Sequence, residues 1–349
     1  MKIAIVTVQV PFTSGGAENL TGMLKNELIK RGHQAEIVTI PFKWYPWEVL
    51  VSEMNIGRAI DLTETGGDKI DLVIAMKFPA YYLKHDNKVL WLMHQHRQAY
   101  DMWNSDYSDI QRWENGESIR KLITACDSRY LAEYKTRFTI SQNTSARLMK
   151  YNHLKSKALY HPPLHYEQMH CDSYGDFVFY PSRISQIKRQ ELLVDAAGFL
   201  TTDAKIIIAG SGTEADVFRL KNKIKEKHLE DKVFYAGLIS EEEKIKYYAN
   251  CMAVYFGAYD EDYGYITLEG MFSEKPVIVH RDAGGPLEFI TDGKNGYVIE
   301  PEPEIIAKTI DKLYKNKDLA RKLGVEGKNS LLKKNMNWDY VIQQLLRQR

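Results

Sequence analysis

Short apolar runs recur along the chain, separated by stretches with a helical pattern. One series is 3-IAIVTV-8, 35-AEIVTI-40, 71-DLVIAM-76 and 88-KVLWLM-93. A second is 177-FVFYPS-182, 205-KIIIAG-210, 232-KVFYAG-237, 252-MAVYFG-257 and 276-PVIVH-280. The runs are rich in Val and Ile and do not alternate, which suits strands buried on both faces of a parallel sheet. Between the first two, 17-AENLTGMLKNELIKRG-32 places Leu20, Met23, Leu24, Leu28 and Ile29 on one stripe of a helix. Strand–helix alternation of this kind predicts βαβ units and an α/β fold with doubly wound, Rossmann-like sheets. The alternation breaks at 160-YHPPLHYEQMHCDSYGD-176, where prolines and polar residues erase the period. The expected division is therefore a first domain over 1–165, a second over 166–334, and an amphipathic helix in 335–349.

Composition narrows the function classes. A length of 349 residues with 44% hydrophobic content is enough for two buried cores. A formal charge of +1 gives no reason to expect nucleic-acid binding. Cys126, Cys171 and Cys251 lie far apart, with no ligand or redox-motif spacing, so a reducing compartment is expected. The opening run is too short to span a membrane and carries no small-residue cleavage site, which points to a cytoplasmic protein.

Open sheets of this class bind ligands beyond the carboxyl ends of their strands, so chemistry is sought in the loops that follow them. After the first strand, Gly15 and Gly16 in 13-TSGGAEN-19 leave backbone accessible at a helix start. The segment is not GxGxxG, and a tight turn without a ligand is the alternative. After the fourth run, His94, His96 and Arg97 cluster at a strand's carboxyl end, with His94 suited to a sugar hydroxyl or a phosphate. A metal reading of HxH lacks a third ligand, and histidines satisfied by backbone are the bland alternative. In 181-PSRISQIKRQELLVDA-196, Arg183 and Lys188 flank a turn into a helix, a pair suited to a diphosphate. Solvated basic turns look the same. Glycine turns follow at 209-AGSGTE-214, with Gly210 and Gly212, and at 282-DAGGPLEFITDGKNGYVI-299, with Gly284, Gly285 and Glu288.

The stretch 261-EDYGYITLE-269 is the most informative. Gly264 predicts a loop through Glu261 and a helix from about Ile266. Glu261 then stands ahead of a bare helix N-terminus and Glu269 one turn inside it. Carboxylates repel phosphate but accept from hydroxyls, whereas helix N–H groups favour anions. A nucleotide sugar offers sugar hydroxyls, diphosphate and ribose hydroxyls in that order. The triplet 260-DED-262 has the form of a DxD metal site, but Arg183 and Lys188 already supply positive charge, so no metal is expected.

Together these segments resemble family four of the retaining glycosyltransferases, enzymes of the GT-B fold. The family's Glu-x7-Glu appears as Glu261 and Glu269, its Arg and Lys as Arg183 and Lys188, its GG-x-x-E as 284-GGPLE-288, and its early glycine loop as 14-SGGAE-18. Ser182 and Asp262 depart from the usual small residues at their positions. The resemblance implies two Rossmann-like domains facing across a cleft, with the last helix crossing back to the first. It also implies a nucleoside diphosphate sugar donor, commonly of uridine. On the donor side it implies Gly15, Gly16, Arg183, Lys188, Gly210, Gly212, Leu238, Tyr263, Gly264, Tyr265, Ile266 and Thr267, with Glu261 on the sugar and Glu269 on the ribose. It implies His94, Arg183, Lys188 and Glu261 as catalytic, and His94, His96 and Arg97 toward a glycan or lipid-linked acceptor used in polysaccharide or glycoconjugate synthesis. An epimerase on the same paired sheets and a non-catalytic nucleotide-sugar binder stay open. In 41-PFKWYPWEVLV-51, Phe42, Trp44, Tyr45 and Trp47 would suit a lipid or the inner face of a membrane if exposed, and are core if packed.

Overall fold

A computed structural model of the chain describes residues 1–13 and 15–347. Ser14 of the early glycine loop, and Gln348 and Arg349 of the last segment, lie outside the described residues. The chain forms two compact units, Met1–Leu164 with the segment from Asn337 onward, and His165–Met336.

The first unit contains β1 (Lys2–Gln9), α1 (Gly16–Lys30), β2 (Gln34–Pro41), α2 (Trp47–Ala59), a short antiparallel pair β3 (Glu64–Thr65) and β4 (Asp68–Lys69), and β5 (Leu72–Lys77). These are followed by β6 (Lys88–His94), α3 (Gly116–Ala132), β7 (Thr136–Thr139), α4 (Gln142–Asn152) and β8 (Lys157–Ala158). Its main sheet has the order β2-β1-β5-β6-β7-β8, and every pairing in it is parallel. Ile5 lies opposite Ile37 and Ile74, so the apolar runs stack across the sheet. The strand order reverses between β1 and β5, the kind of position at which open α/β sheets bind ligands.

The second unit contains β9 (Phe177–Pro181), α5 (Gln190–Ala197), β10 (Lys205–Ala209), α6 (Glu214–Glu226), β11 (Val233–Gly237), α7 (Glu241–Asn250) and β12 (Ala253–Phe256). Then come α8 (Tyr265–Phe272), β13 (Val277–His280), β14 (Gly296–Ile299), α9 (Pro303–Lys315) and α10 (Lys317–Leu332). Its parallel sheet runs β11-β10-β9-β12-β13-β14. Numbered within the unit this is 3-2-1-4-5-6, the Rossmann order, and its reversal falls between β9 and β12.

The terminal helix α11 (Trp338–Leu346) starts three residues later than the segment read from sequence, because the Asn337 side chain caps it by accepting from the Tyr340 N–H. It packs on the first unit. The Trp338 ring lies 6.4 Å from Trp91 of β6 and 6.2 Å from His161, and Asp339 pairs with Arg31 just past α1.

The aromatic stretch 41–51 is only partly a loop, since α2 begins at Trp47. Phe42 and Trp44 pack against the core, and Trp44 Nε1 donates to Asp109 at 3.2 Å, whereas Tyr45 and Trp47 keep 52% and 36% of their surface. Among the described residues no helix is long and apolar enough to cross a membrane.

Candidate functional site

The strand reversal in the second unit sets the loop after β9 beside the loop after β12. The Tyr259 N–H donates to the Ile187 carbonyl at 3.0 Å, and Lys188 Nζ forms an ion pair with Glu261. Tyr180 donates its hydroxyl to the Lys188 carbonyl at 2.5 Å, which fixes the turn that carries the lysine. Lys188 Nζ also sits 5.5 Å from the Phe256 ring centre at the end of β12. Arg183 occupies the same loop with its side chain exposed, while its carbonyl accepts from Gln190 Nε2 at 2.8 Å. An exposed guanidinium and a part-buried ammonium thus belong to one loop.

Gly264 caps α8 with φ +85° and ψ 60°, and no side chain caps the helix. The helix starts at Tyr265, one residue earlier than expected from sequence. Glycine is required twice over at 264, because a Cβ there would fall 2.5 Å from Pro286 Cγ. The facing Gly285 is equally constrained, since its Cβ would lie 2.5 Å from the Asp262 carbonyl oxygen. The GG-x-x-E segment is therefore seated on the glutamate loop, with the Glu261 N–H donating to Ala283 O at 2.8 Å and the Gly285 N–H to Glu261 O at 2.7 Å.

Glu269 lies on α8 and is 6% exposed. Tyr248 of α7 donates to one carboxylate oxygen at 2.7 Å, and Lys244 Nζ lies 3.3 Å from the other. Burial works against the Lys244 charge, but Glu269 and Glu241 outweigh it and raise its pKa. Glu269 is thereby held as an acceptor at the flank of the helix mouth. Tyr263 is buried, with its ring 5.3 Å from Tyr265 and 5.7 Å from Phe289. Ile266 is half-buried, and Thr267 is fully buried with its N–H donating to Gly264 O at 3.0 Å.

Gly210 and Gly212 have a structural reason to be glycine. Their Cβ atoms would lie 2.2 Å from Ser182 O and 2.6 Å from Ile184 O, where the loop after β10 bonds the loop after β9. Ser182, a departure from the family pattern, is buried, and its N–H donates to Ala209 O at 2.8 Å. Leu238, just past β11, is 79% exposed and presents an apolar surface at the same end of the sheet.

In the first unit, Gly15 precedes α1 with an extended φ of −172°, and a Cβ would meet nothing closer than Glu18 Oε2 at 3.6 Å. The fold therefore does not itself demand glycine there, unlike at Gly264. Gly16 opens α1, and His94 ends β6 with Nδ1 2.7 Å from the Gln95 carbonyl. His96 is turned inward: its ring lies 5.2 Å from Phe78 and 6.2 Å from Phe42, and Nε2 is buried without a hydrogen-bond partner. Burial, and then the neighbouring His94, push its pKa down to about 3. The resemblance directs the His96 ring toward an acceptor, whereas its environment is that of a neutral core ring. Arg97 is tied to Asp101, with Nε 2.9 Å from its carboxylate.

Sequence reasoning passes over Arg189, although it adjoins Lys188. It adopts φ +53° and grips Asp282 with two hydrogen bonds of 3.0 and 2.8 Å, joining the loops after β9 and β13. It also passes over Lys244 and Tyr248, which carry no motif signal. Among the described residues no group of three or more His, Cys, Asp or Glu is placed to hold a metal ion.

Residues 172–330 match the family described as glycosyl transferases group 1. The matched residues all fall within the second unit. One relative is the alpha-1,3/1,6-mannosyltransferase ALG2 of Dictyostelium discoideum, 38% identical over 109 residues, covering 31% of this chain and 26% of that protein. The chain thus spans about a quarter of that relative's length. Over the whole chain, the two units resemble sucrose-phosphate synthase of Thermosynechococcus elongatus, with TM-score 0.78, 16% identity and 99% and 97% of the two chains covered. Anabaena HepE, solved with UDP and glucose, gives TM-score 0.70, 15% identity and coverage of 99% and 98%. These likenesses show the GT-B fold.

Proposed function

We propose that the protein transfers a hexosyl unit from a nucleoside diphosphate sugar, with uridine as the base, to a hydroxyl of a glycan or lipid-linked acceptor. In this reading the anomeric configuration is retained and no metal ion is needed. The observation that carries it is the junction of Lys188 with Glu261 beside the uncapped start of α8, at the strand reversal of the second unit. The diphosphate takes the helix N–H groups, Arg183 and Lys188. Lys188 has three N–H donors, so it can serve a phosphate oxygen while keeping Glu261 in place. Glu261 accepts from the sugar hydroxyls and Glu269 from the ribose, while Leu238 lies where the base can cover it. His94 and Arg97 serve the acceptor side.

Neither glutamate has to be a nucleophile. As the glycosidic bond breaks, charge develops on the leaving diphosphate, where the two cations and the helix dipole are already arranged to receive it. The departing phosphate then takes the acceptor's proton on the same face. The uridine assignment is supported by the UDP that the HepE neighbour holds.

Thermal-shift measurements against uridine, guanosine and adenosine diphosphate sugars test the reading. A ligand at a hundredfold over its dissociation constant adds about 2.7 kcal/mol to apparent stability, a rise of roughly 5–10 °C in Tm. The expected result is a rise with UDP-sugars, together with acceptor-dependent release of UDP. Release of UDP at the same rate without any acceptor, or no shift with any of the three, overturns the proposal.

A further inference from the structure

At the opposite end of α8 from the candidate mouth lies a cluster that the transfer reaction does not use. Lys275 follows the helix and is completely buried. Its Nζ lies 3.0 Å from Cys171 Sγ, donates to the Ser173 carbonyl, and stands 4.2 Å from the centre of the Tyr174 ring. Among the described residues no carboxylate lies within ion-pair distance of it. Cys171 keeps part of its surface open to solvent and is a free thiol. A small oxidant from solution therefore meets the sulfur first, with the amine already in contact behind it.

We propose that Cys171 and Lys275 form an oxidative modification site, in which hydrogen peroxide joins Sγ to Nζ through a single oxygen. The first peroxide converts the thiol to a sulfenic acid, its other oxygen leaving as water. A second peroxide accepts two further electrons as the oxygen–nitrogen bond forms, and the N–H and sulfenic O–H hydrogens leave in water. The ammonium releases one proton to solvent as the bond forms, so the balance is Cys–SH + Lys–NH3+ + 2 H2O2 → Cys–S–O–NH–Lys + 3 H2O + H+. Cys251, the other thiol of this unit that could compete, is fully buried, and burial pushes its pKa up to about 12. It remains protonated and a poor reactant.

The link closes a loop between positions 104 residues apart, so it removes freedom from the unfolded chain as a disulfide of that span does. It also staples the segment that leads into the second unit to the turn that leaves α8. The test treats the full chain with hydrogen peroxide and reads intact mass, peptide map and melting temperature. The expected product gains one oxygen and loses two hydrogens, yields one cross-linked peptide containing 171 and 275, melts roughly 5–10 °C higher, and reverts with a thiol reductant. Cys171→Ala and Lys275→Arg, the latter keeping the buried cation, are expected to lose the product and the shift. The proposal is overturned if wild-type protein shows Cys171 only as sulfinic or sulfonic acid with Lys275 unmodified. A disulfide to Cys251, or no modification under conditions that oxidise glutathione, overturns it equally.

Discussion

Asp127 in the first unit and Glu269 in the second are both buried acids, 0% and 6% exposed, yet they are held by different partners. Asp127 accepts from three phenols, Tyr81 at 3.0 Å, Tyr82 at 2.7 Å and Tyr100 at 2.7 Å, with no cation among them. Burial pushes its pKa up to about 6, and the three hydroxyls only partly offset this. Glu269 has one phenol and one ammonium. A carboxyl surrounded by neutral donors can take up a proton without orphaning a charge. Lys244 pairs with Glu241 as well, so the Glu269 carboxylate belongs to a three-residue ion cluster. The first arrangement ties the loops after β5 and β6 to α3, and the second fixes the position of a carboxylate on α8. Strand order differs in parallel: 2-1-3-4-5-6 in the first unit, counting only its main-sheet strands, and 3-2-1-4-5-6 in the second. The reversal in the second unit is what brings cations and glutamates to one mouth.

The largest expected effect breaks the second unit's side of the comparison. Lys188→Ala is expected to lower turnover by about a hundredfold to a thousandfold, the usual consequence of removing a preorganised donor to developing charge. Circular dichroism should stay native, because the lysine is a part-buried side chain on a loop. Turnover within about threefold of wild type would remove the diphosphate assignment.

The next effect concerns Asp127 and acts on stability. Its folded pKa, about 6, lies above the ordinary 3.8, so its contribution is fully present below the ordinary value and is lost as pH rises through 6. At about 1.4 kcal/mol for each tenfold change in proton affinity, that difference amounts to about 3 kcal/mol of stability lost on going from acid to neutral pH. Urea unfolding of wild type and Asp127→Asn, at pH 4.5 and pH 7.5, isolates this contribution. Wild type is expected to lose stability relative to the variant over that interval. A difference that does not change with pH would show that the three phenols fully stabilise the carboxylate.

A third pair of variants separates glycines that the fold needs from those it does not. Gly264→Ala places a side chain at φ +85° and against Pro286, and should cost about 1–2 kcal/mol for the left-handed backbone alone. Gly15→Ala meets an extended φ and open space, so its stability should stay within about 0.5 kcal/mol of wild type. Equal losses from both would mean that the first loop is more constrained than its contacts show.

Much of this organisation is legible in the chain, for reasons that also explain the omissions. Strands such as 3-IAIVTV-8 and 252-MAVYFG-257 are buried on both faces and so write themselves as apolar runs. The 136-TRFT-139 strand and the two-residue Lys157–Ala158 strand are too short and polar to do so. Arg183, Lys188, Glu261 and Glu269 can be picked out because they stand in or beside loops that follow strands. Their holders cannot: Lys244 and Tyr248 lie 25 and 21 positions from Glu269 on another helix, and Asp127 lies 45 positions from Tyr82. Such pairings depend on how elements pack, which no local pattern records. His96 illustrates the converse error, because proximity to His94 in sequence says nothing of a ring packed between Phe42 and Phe78.

The smallest expected effect sharpens what holds the mouth of the second unit in shape. Arg189 sits at φ +53°, a conformation that costs a side-chain-bearing residue roughly 1–2 kcal/mol, and Arg189→Lys leaves that cost unchanged. It retains the positive charge near Asp282 and removes only the planar fork that makes two hydrogen bonds at once. The pair is part-exposed, at 20% and 34% of side-chain surface, where such pairs contribute about 0.2–1 kcal/mol and weaken with salt. The variant should therefore lose less than about 1 kcal/mol, and most of that loss should disappear in 1 M salt, which screens the wild-type pair as well. A larger loss that persists at high salt would mean that the fork does more than join two charges. It would then be fixing the turn that carries Lys188, and the cation at the mouth would owe its position to its neighbour in sequence as much as to Tyr180.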